Sequence, residues 1–104
     1  MTKKLKVLDL MGCAKLTRTP DFSNFTSLEM LILAWYPELI TIDHSIGKLE
    51  LFKTLNIKGC SSLGELPEEV GSLHSLTQIV MPQNNKLLKL SERFGISYLC
   101  QVLY

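Results

Sequence analysis

No sign of charge dominates this 104-residue chain: eleven Lys and Arg stand against ten Asp and Glu, for a formal charge of +1. Nucleic-acid binders and proteins that lie on anionic membranes carry a clustered basic surplus, so both partner classes are set aside. Long hydrophobic runs are missing too. The longest apolar stretches, such as residues 30–36, are strand-sized, well short of the ~18 to 20 residues that span a bilayer. The basic start Met1-Thr2-Lys3-Lys4-Leu5-Lys6-Val7-Leu8 is broken by Asp9, and no small-residue cleavage site follows, so a secretory leader is not expected. Cysteine is scarce: Cys13, Cys60 and Cys100 form no CxxC pair and no even framework, which points to reduced thiols inside the cell rather than to disulfides or a metal site. With 46% apolar and 20% charged residues, the composition is that of one soluble globular domain covering residues 1–104.

What is present is an internal repeat. The pattern L-x-x-L-x-L-x-x-C-x-x-L runs through Leu5, Leu8, Leu10, Cys13 and Leu16, and again through Leu28, Leu31, Leu33, Tyr36 and Leu39. It returns at Phe52, Leu55, Ile57, Cys60 and Leu63, and at Leu76, Ile79, Met81, Asn84 and Leu87. The copies start at residues 5, 28, 52 and 76, in steps of 23 to 24 residues, and Cys100 and Leu103 fit one more step of 24. The second half of each unit agrees as well, with Phe22 and Phe25, Ile46 and Leu49, and Val70 and Leu73 each three apart. Pro20 corresponds to Pro67, and Gly47 to Gly71.

The L-x-L centre of each unit predicts a short strand with two inward apolar residues and outward neighbours between them. Strands near residues 7–11, 30–34, 54–58 and 78–82 should form a parallel sheet, backed by irregular or 3₁₀ returns: an α/β repeat solenoid. The ninth position of each unit, Cys13, Tyr36, Cys60 and Asn84, should sit inside a sharp turn. A phenol is large for that slot, so Trp35-Tyr36-Pro37 predicts a locally rebuilt second turn. Neither end carries a polar cap, which predicts a piece of a longer array.

The segments 5–13 (LKVLDLMGC), 16–23 (LTRTPDFS), 55–63 (LNIKGCSSL) and 65–73 (ELPEEVGSL) carry a family resemblance. Over about residues 5–82 the chain resembles the leucine-rich repeats of plant intracellular nucleotide-binding disease resistance proteins, notably the class with a Toll/interleukin-receptor-like N-terminal domain. The resemblance implies a protein-binding module in innate immune signalling, cytoplasmic or nuclear. Its partner would be an effector, a host protein or a neighbouring receptor domain, and no cofactor would be needed. The alternative is a truncated or stand-alone intracellular repeat scaffold or adaptor without immune signalling of its own. The nucleotide site of such receptors needs G-x-x-x-x-G-K-[ST], and Gly47-Lys48-Leu49 does not supply it, with Ile42 for the first Gly and Leu49 for Ser or Thr.

The expected binding face is the outward set Val7, Asp9, Met11, Met30, Ile32, Ala34, Thr54, Asn56, Lys58, Gln78 and Val80, with Trp35 at its edge. Its first half is apolar, as contact surfaces often are. No enzyme is expected, and no small-molecule substrate. Asp43-His44-Ser45 are adjacent in sequence and cannot fold back into a nucleophile, base and orienter. His44 and His74 lack metal-ligand spacing. Asn24-Phe25-Thr26 fits a glycosylation pattern, but Phe25 belongs to a core column. Glu65, Glu68 and Glu69 read as a solvated patch.

Overall fold

The computed structural model describes residues 4–10 and 15–80, and the backbone of 101–103. Five strands form one parallel sheet in chain order: β1 (Val7–Asp9), β2 (Met30–Ile32), β3 (Thr54–Asn56), β4 (Gln78–Val80) and β5 (Gln101–Leu103). The register follows the repeat. Leu8 pairs with Leu31, Leu31 with Leu55 and Leu55 with Ile79, so the central residue of each of β1 to β4 stands in one row. That row turns inward, with Leu31, Leu55 and Ile79 fully buried and Leu8 packed against them. At β5 the expected step of 24 residues shortens to 23: Ile79 pairs with Val102, not Leu103.

Each strand is three residues long, shorter than the five expected. Repeat-to-repeat bonding nevertheless extends beyond the strands. On the entry side, Glu29 and Met30 N–H both donate to Lys6 O, Lys53 and Thr54 N–H to Glu29 O, and Thr77 and Gln78 N–H to Lys53 O. On the exit side Leu10 donates to Ile32 O, Leu33 to Asn56 O and Ile57 to Val80 O, at 2.8–3.0 Å. These bonds satisfy backbone groups that would otherwise be stranded beside a dry core.

The apolar residues spaced by three have a local cause. Phe25 N–H bonds to Phe22 O and Leu28 N–H to Phe25 O; the same i to i−3 links join Ile46, Leu49 and Phe52, and then Val70, Leu73 and Leu76. A chain with three residues per turn eclipses positions i and i+3. Such turns therefore aim each of these columns at the core, where Phe22, Ile46, Val70 and their successors form one continuous apolar cluster. Two of the returns are regular 3₁₀ helices, His44–Lys48 and Glu68–Ser72. Each is preceded by a cap residue of nearly the same shape: Asp43 at φ −62°, ψ 140° and Pro67 at φ −62°, ψ 147°. Pro67 holds that φ by its ring. Asp43 holds it by accepting a hydrogen bond from Ser45 N. The two helices touch closely: a methyl built on Gly47 would lie 2.5 Å from Glu69 Cβ.

Candidate functional site

The face of the sheet away from the core carries two rows. One is Val7, Met30, Thr54 and Gln78; the other is Asp9, Ile32, Asn56 and Val80. At a strand spacing of about 4.8 Å, each row extends roughly 14 Å across four strands. Val7 and Asp9 are exposed, and Met30, Ile32, Thr54, Asn56, Gln78 and Val80 are half-buried. The face is apolar on β2 and polar on β3, with mixed rows at β1 (Val7, Asp9) and β4 (Gln78, Val80). Lys58 is exposed just past β3, and Asn56 Oδ1 accepts the Lys58 N–H at 3.1 Å. At the strand entrance Lys53 pairs with Glu29 at 3.4 Å, an exposed ion pair worth little to stability.

Two members of the expected set need comment. Ala34 does not line the face: it is only 5% exposed, because strand alternation ends at Ile32 and Ala34 already belongs to the turn. Met11 lies outside the described residues.

Trp35 is the most unusual residue here. Among the described residues it is the one non-glycine with positive φ, at 68°, and it is 62% exposed. One repeat on, at the same place in the turn, Gly59 has φ 80°. The turn thus demands left-handed backbone, which glycine adopts freely and a Cβ-bearing residue adopts at about 1–2 kcal/mol. Trp35 is held there from two sides. Its N–H donates to Lys58 O at 2.8 Å, and its indole lies against Gly59, where an added methyl would fall 2.8 Å from Cδ2. The rebuilt turn expected at Trp35-Tyr36-Pro37 is not what the structure shows: Trp35 repeats the left-handed backbone of Gly59, Tyr36 is buried like Cys60, and Leu39 N–H bonds to Tyr36 O as Leu63 N–H bonds to Cys60 O. The alignment of Trp35 with Gly59 is the signal that could have revealed this.

The ninth-position residues lie beneath this turn. Tyr36 and Cys60 are fully buried, whereas Cys13 and Asn84 lie outside the described residues. Cys60 Sγ donates to Leu33 O at 3.0 Å, tying one turn to the next. Burial pushes the thiol pKa up, against the opposing effect of a backbone bond from Tyr36, so Cys60 is held as an unreactive thiol.

On the return side, Ser45 is buried and works structurally. Its hydroxyl accepts from Phe22 N at 2.7 Å and makes a short hydrogen bond to Asp43 Oδ2, while Thr19 Oγ1 accepts from Asp43 N at 2.8 Å. The Ser45 bonds hold the Asp43 carboxyl below its ordinary pKa. His44 points away, with its side chain 74% exposed and Nδ1 3.9 Å from Asp43 Oδ1. No imidazole therefore stands beside Ser45, and its hydroxyl is held between Phe22 N and the Asp43 carboxylate. A shallow cleft of about 260 Å³ runs past Arg18, Thr41, Asp43, His44 and Pro67. Among the described residues no helix is long and apolar enough to cross a membrane, and no group of three His, Cys, Asp or Glu could hold a metal ion.

No protein-family model matches the chain. It is 32% identical over 91 residues to TMV resistance protein N of Nicotiana glutinosa, which takes in 88% of this chain and 8% of that protein. It is 35% identical over 82 residues to disease resistance protein RML1A of Arabidopsis thaliana, covering 77% of this chain and 8% of that protein. A third relative, disease resistance protein RML1B of Arabidopsis thaliana, is 41% identical over 58 residues, 56% of this chain and 6% of that protein. The chain is thus related to plant disease resistance proteins and spans under a tenth of their length.

Proposed function

We propose, from that kinship, that this chain is a leucine-rich-repeat solenoid segment acting in plant defence, cytoplasmic or nuclear, which binds a protein partner on the outer face of its sheet. The partner would be an effector, a host protein or a neighbouring domain of the same receptor. The observation that carries this reading is the pair of rows across β1 to β4. The buried columns meet the folding requirement alone, so Val7, Met30, Ile32 and Trp35 stand on the outside without serving the core. A role as binding module also suits a site that consists of aliphatic, amide and aromatic groups, with no nucleophile and base in contact. The experiment is expression of the chain in leaf tissue as wild type and as Ile32→Glu, with defence-marker induction and cell death as readouts and soluble protein level as the control for folding. A recognition or regulatory module changes its immune output when the face is charged. Equal output from both proteins at equal abundance would favour a scaffold with no immune signalling of its own.

A further inference from the structure

We infer that Trp35, seated on Gly59 beside Lys58, is the anchor of the outer face, and that it takes a partner segment presenting an apolar side chain next to a carboxylate. This rests on the protein-recognition reading and names the chemistry of the partner.

The anchor follows from three observations on different atoms. The turn calls for left-handed backbone, which Gly59 shows without strain, yet the cognate position carries the bulkiest of side chains. Backbone strain of this kind persists where surrounding structure over-determines it, and it gathers at ligand clamps. The ring is also supported before any partner arrives: the backbone N–H of Trp35 is bonded to Lys58 O, and the indole lies against the bare Gly59 surface. An aromatic group that is both exposed and already ordered loses little freedom on binding. Finally, Met30 and Ile32 extend the apolar surface along β2.

The charge of the partner follows from the next strand. An indole face alone attracts cations. Here Lys58, the residue before Gly59 and bonded through its carbonyl to the Trp35 backbone, is exposed and in no ion pair among the described residues, unlike Lys53, which is matched by Glu29. A partner cation would meet that ammonium, whereas a carboxylate would be drawn to it. Asn56 points the same way: its Oδ1 is used by Lys58 N, leaving the amide N–H groups as donors for a partner oxygen. The opposing charge on this face, Asp9, lies two strands from Asn56, roughly 10 Å away.

Trp35 is the sole tryptophan of the chain, so its indole N–H gives one assignable NMR signal. The full chain is titrated with three capped peptides, Asp-Leu-Asp, Lys-Leu-Lys and Asp-Gly-Asp. The expected result is a saturable shift of the indole signal with Asp-Leu-Asp that weakens as salt is raised, at least about five-fold weaker binding of the other two, and reversal of the charge preference in Lys58→Glu. Equal response to Asp-Leu-Asp and Lys-Leu-Lys, or an unchanged preference in Lys58→Glu with a preserved amide spectrum, overturns the partner chemistry while leaving the face as a recognition surface. No indole response to any peptide overturns the anchor itself. Failure of the defence role would appear separately, in the leaf assay with Ile32→Glu.

Discussion

Replacing Gly59 by Ala tests the geometry on which the site depends. Two costs add. A Cβ at φ 80° carries the left-handed penalty of about 1–2 kcal/mol. The same methyl would lie 2.8 Å from Trp35 Cδ2 and 3.0 Å from Cζ3, inside van der Waals contact, so the indole must lift away. Driving the ring off its rotamer adds about 0.5–1.5 kcal/mol, for an expected total of about 1.5–3.5 kcal/mol. In a Trp35→Gly background the ring is gone and only the backbone penalty remains, so Gly59→Ala should cost about 1–2 kcal/mol there. Trp35→Gly alone should change stability little, since relief of its own left-handed strain offsets the lost ring contact. Urea unfolding followed by far-UV circular dichroism measures all four proteins, with midpoints compared at a common m value. Equal costs of Gly59→Ala in the two backgrounds would refute the seating of the indole on Gly59. No cost in either would refute the left-handed turn.

Two further outcomes are expected. Leu55, fully buried at the centre of β3, should cost about 2–5 kcal/mol on truncation to Ala, far more than Ile32→Ala on the outer face of β2, and urea midpoints check the order. Ser45→Ala leaves Phe22 N–H without its buried acceptor, at about 1–3 kcal/mol, and also changes the acid limb of stability. Ser45 hydrogen bonds hold the Asp43 carboxyl below its ordinary value of 3.8 in the folded state. That stabilisation is complete above the ordinary value and is lost as the pH falls through the folded one. Wild type should therefore lose more stability than Ser45→Ala below about pH 4; identical acid limbs would show that Asp43 owes nothing to the Ser45 hydroxyl, its bond to Ser45 N–H being present in both.

The parallel sheet, its strand order and its buried columns were legible because each is written in side-chain period. Residues such as Leu31 and Leu55 repeat at a fixed step, and a fixed step between parallel strands places them side by side. The spacing of three in Phe22, Phe25 and Leu28 was legible for the same reason, since it is the period of the turns that produce it. Backbone conformation is written less plainly. Nothing in apolar periodicity says that the chain turns at Ala34 and buries it, or that Asp43 can reproduce the cap geometry of Pro67 through a hydrogen bond to Ser45. The shortened step to β5 escaped for a related reason: Val102 and Leu103 are both apolar, so the pattern accepts either in the column of Ile79, and only backbone pairing chooses Val102.

The same division of labour explains why Trp35 matters. In a sheet built from equal steps, inward residues are constrained by the columns above and below, and any change in size is felt by two neighbours. Outward residues carry no such demand, so the two rows can vary in chemistry while the fold stays the same. The apolar Met30 and Ile32 beside the polar Thr54 and Asn56 illustrate that freedom. Trp35 goes further, because its left-handed strain is at best offset by its ring contact and it adds nothing to the core: it takes up a glycine conformation, stays mostly in solvent and rests on the one kind of residue that leaves room for its ring. A residue that brings strain, gains the fold nothing and fills no cavity is best explained by what it meets from outside. Lys58, exposed and in no ion pair among the described residues, gives the charge that such a visitor should meet.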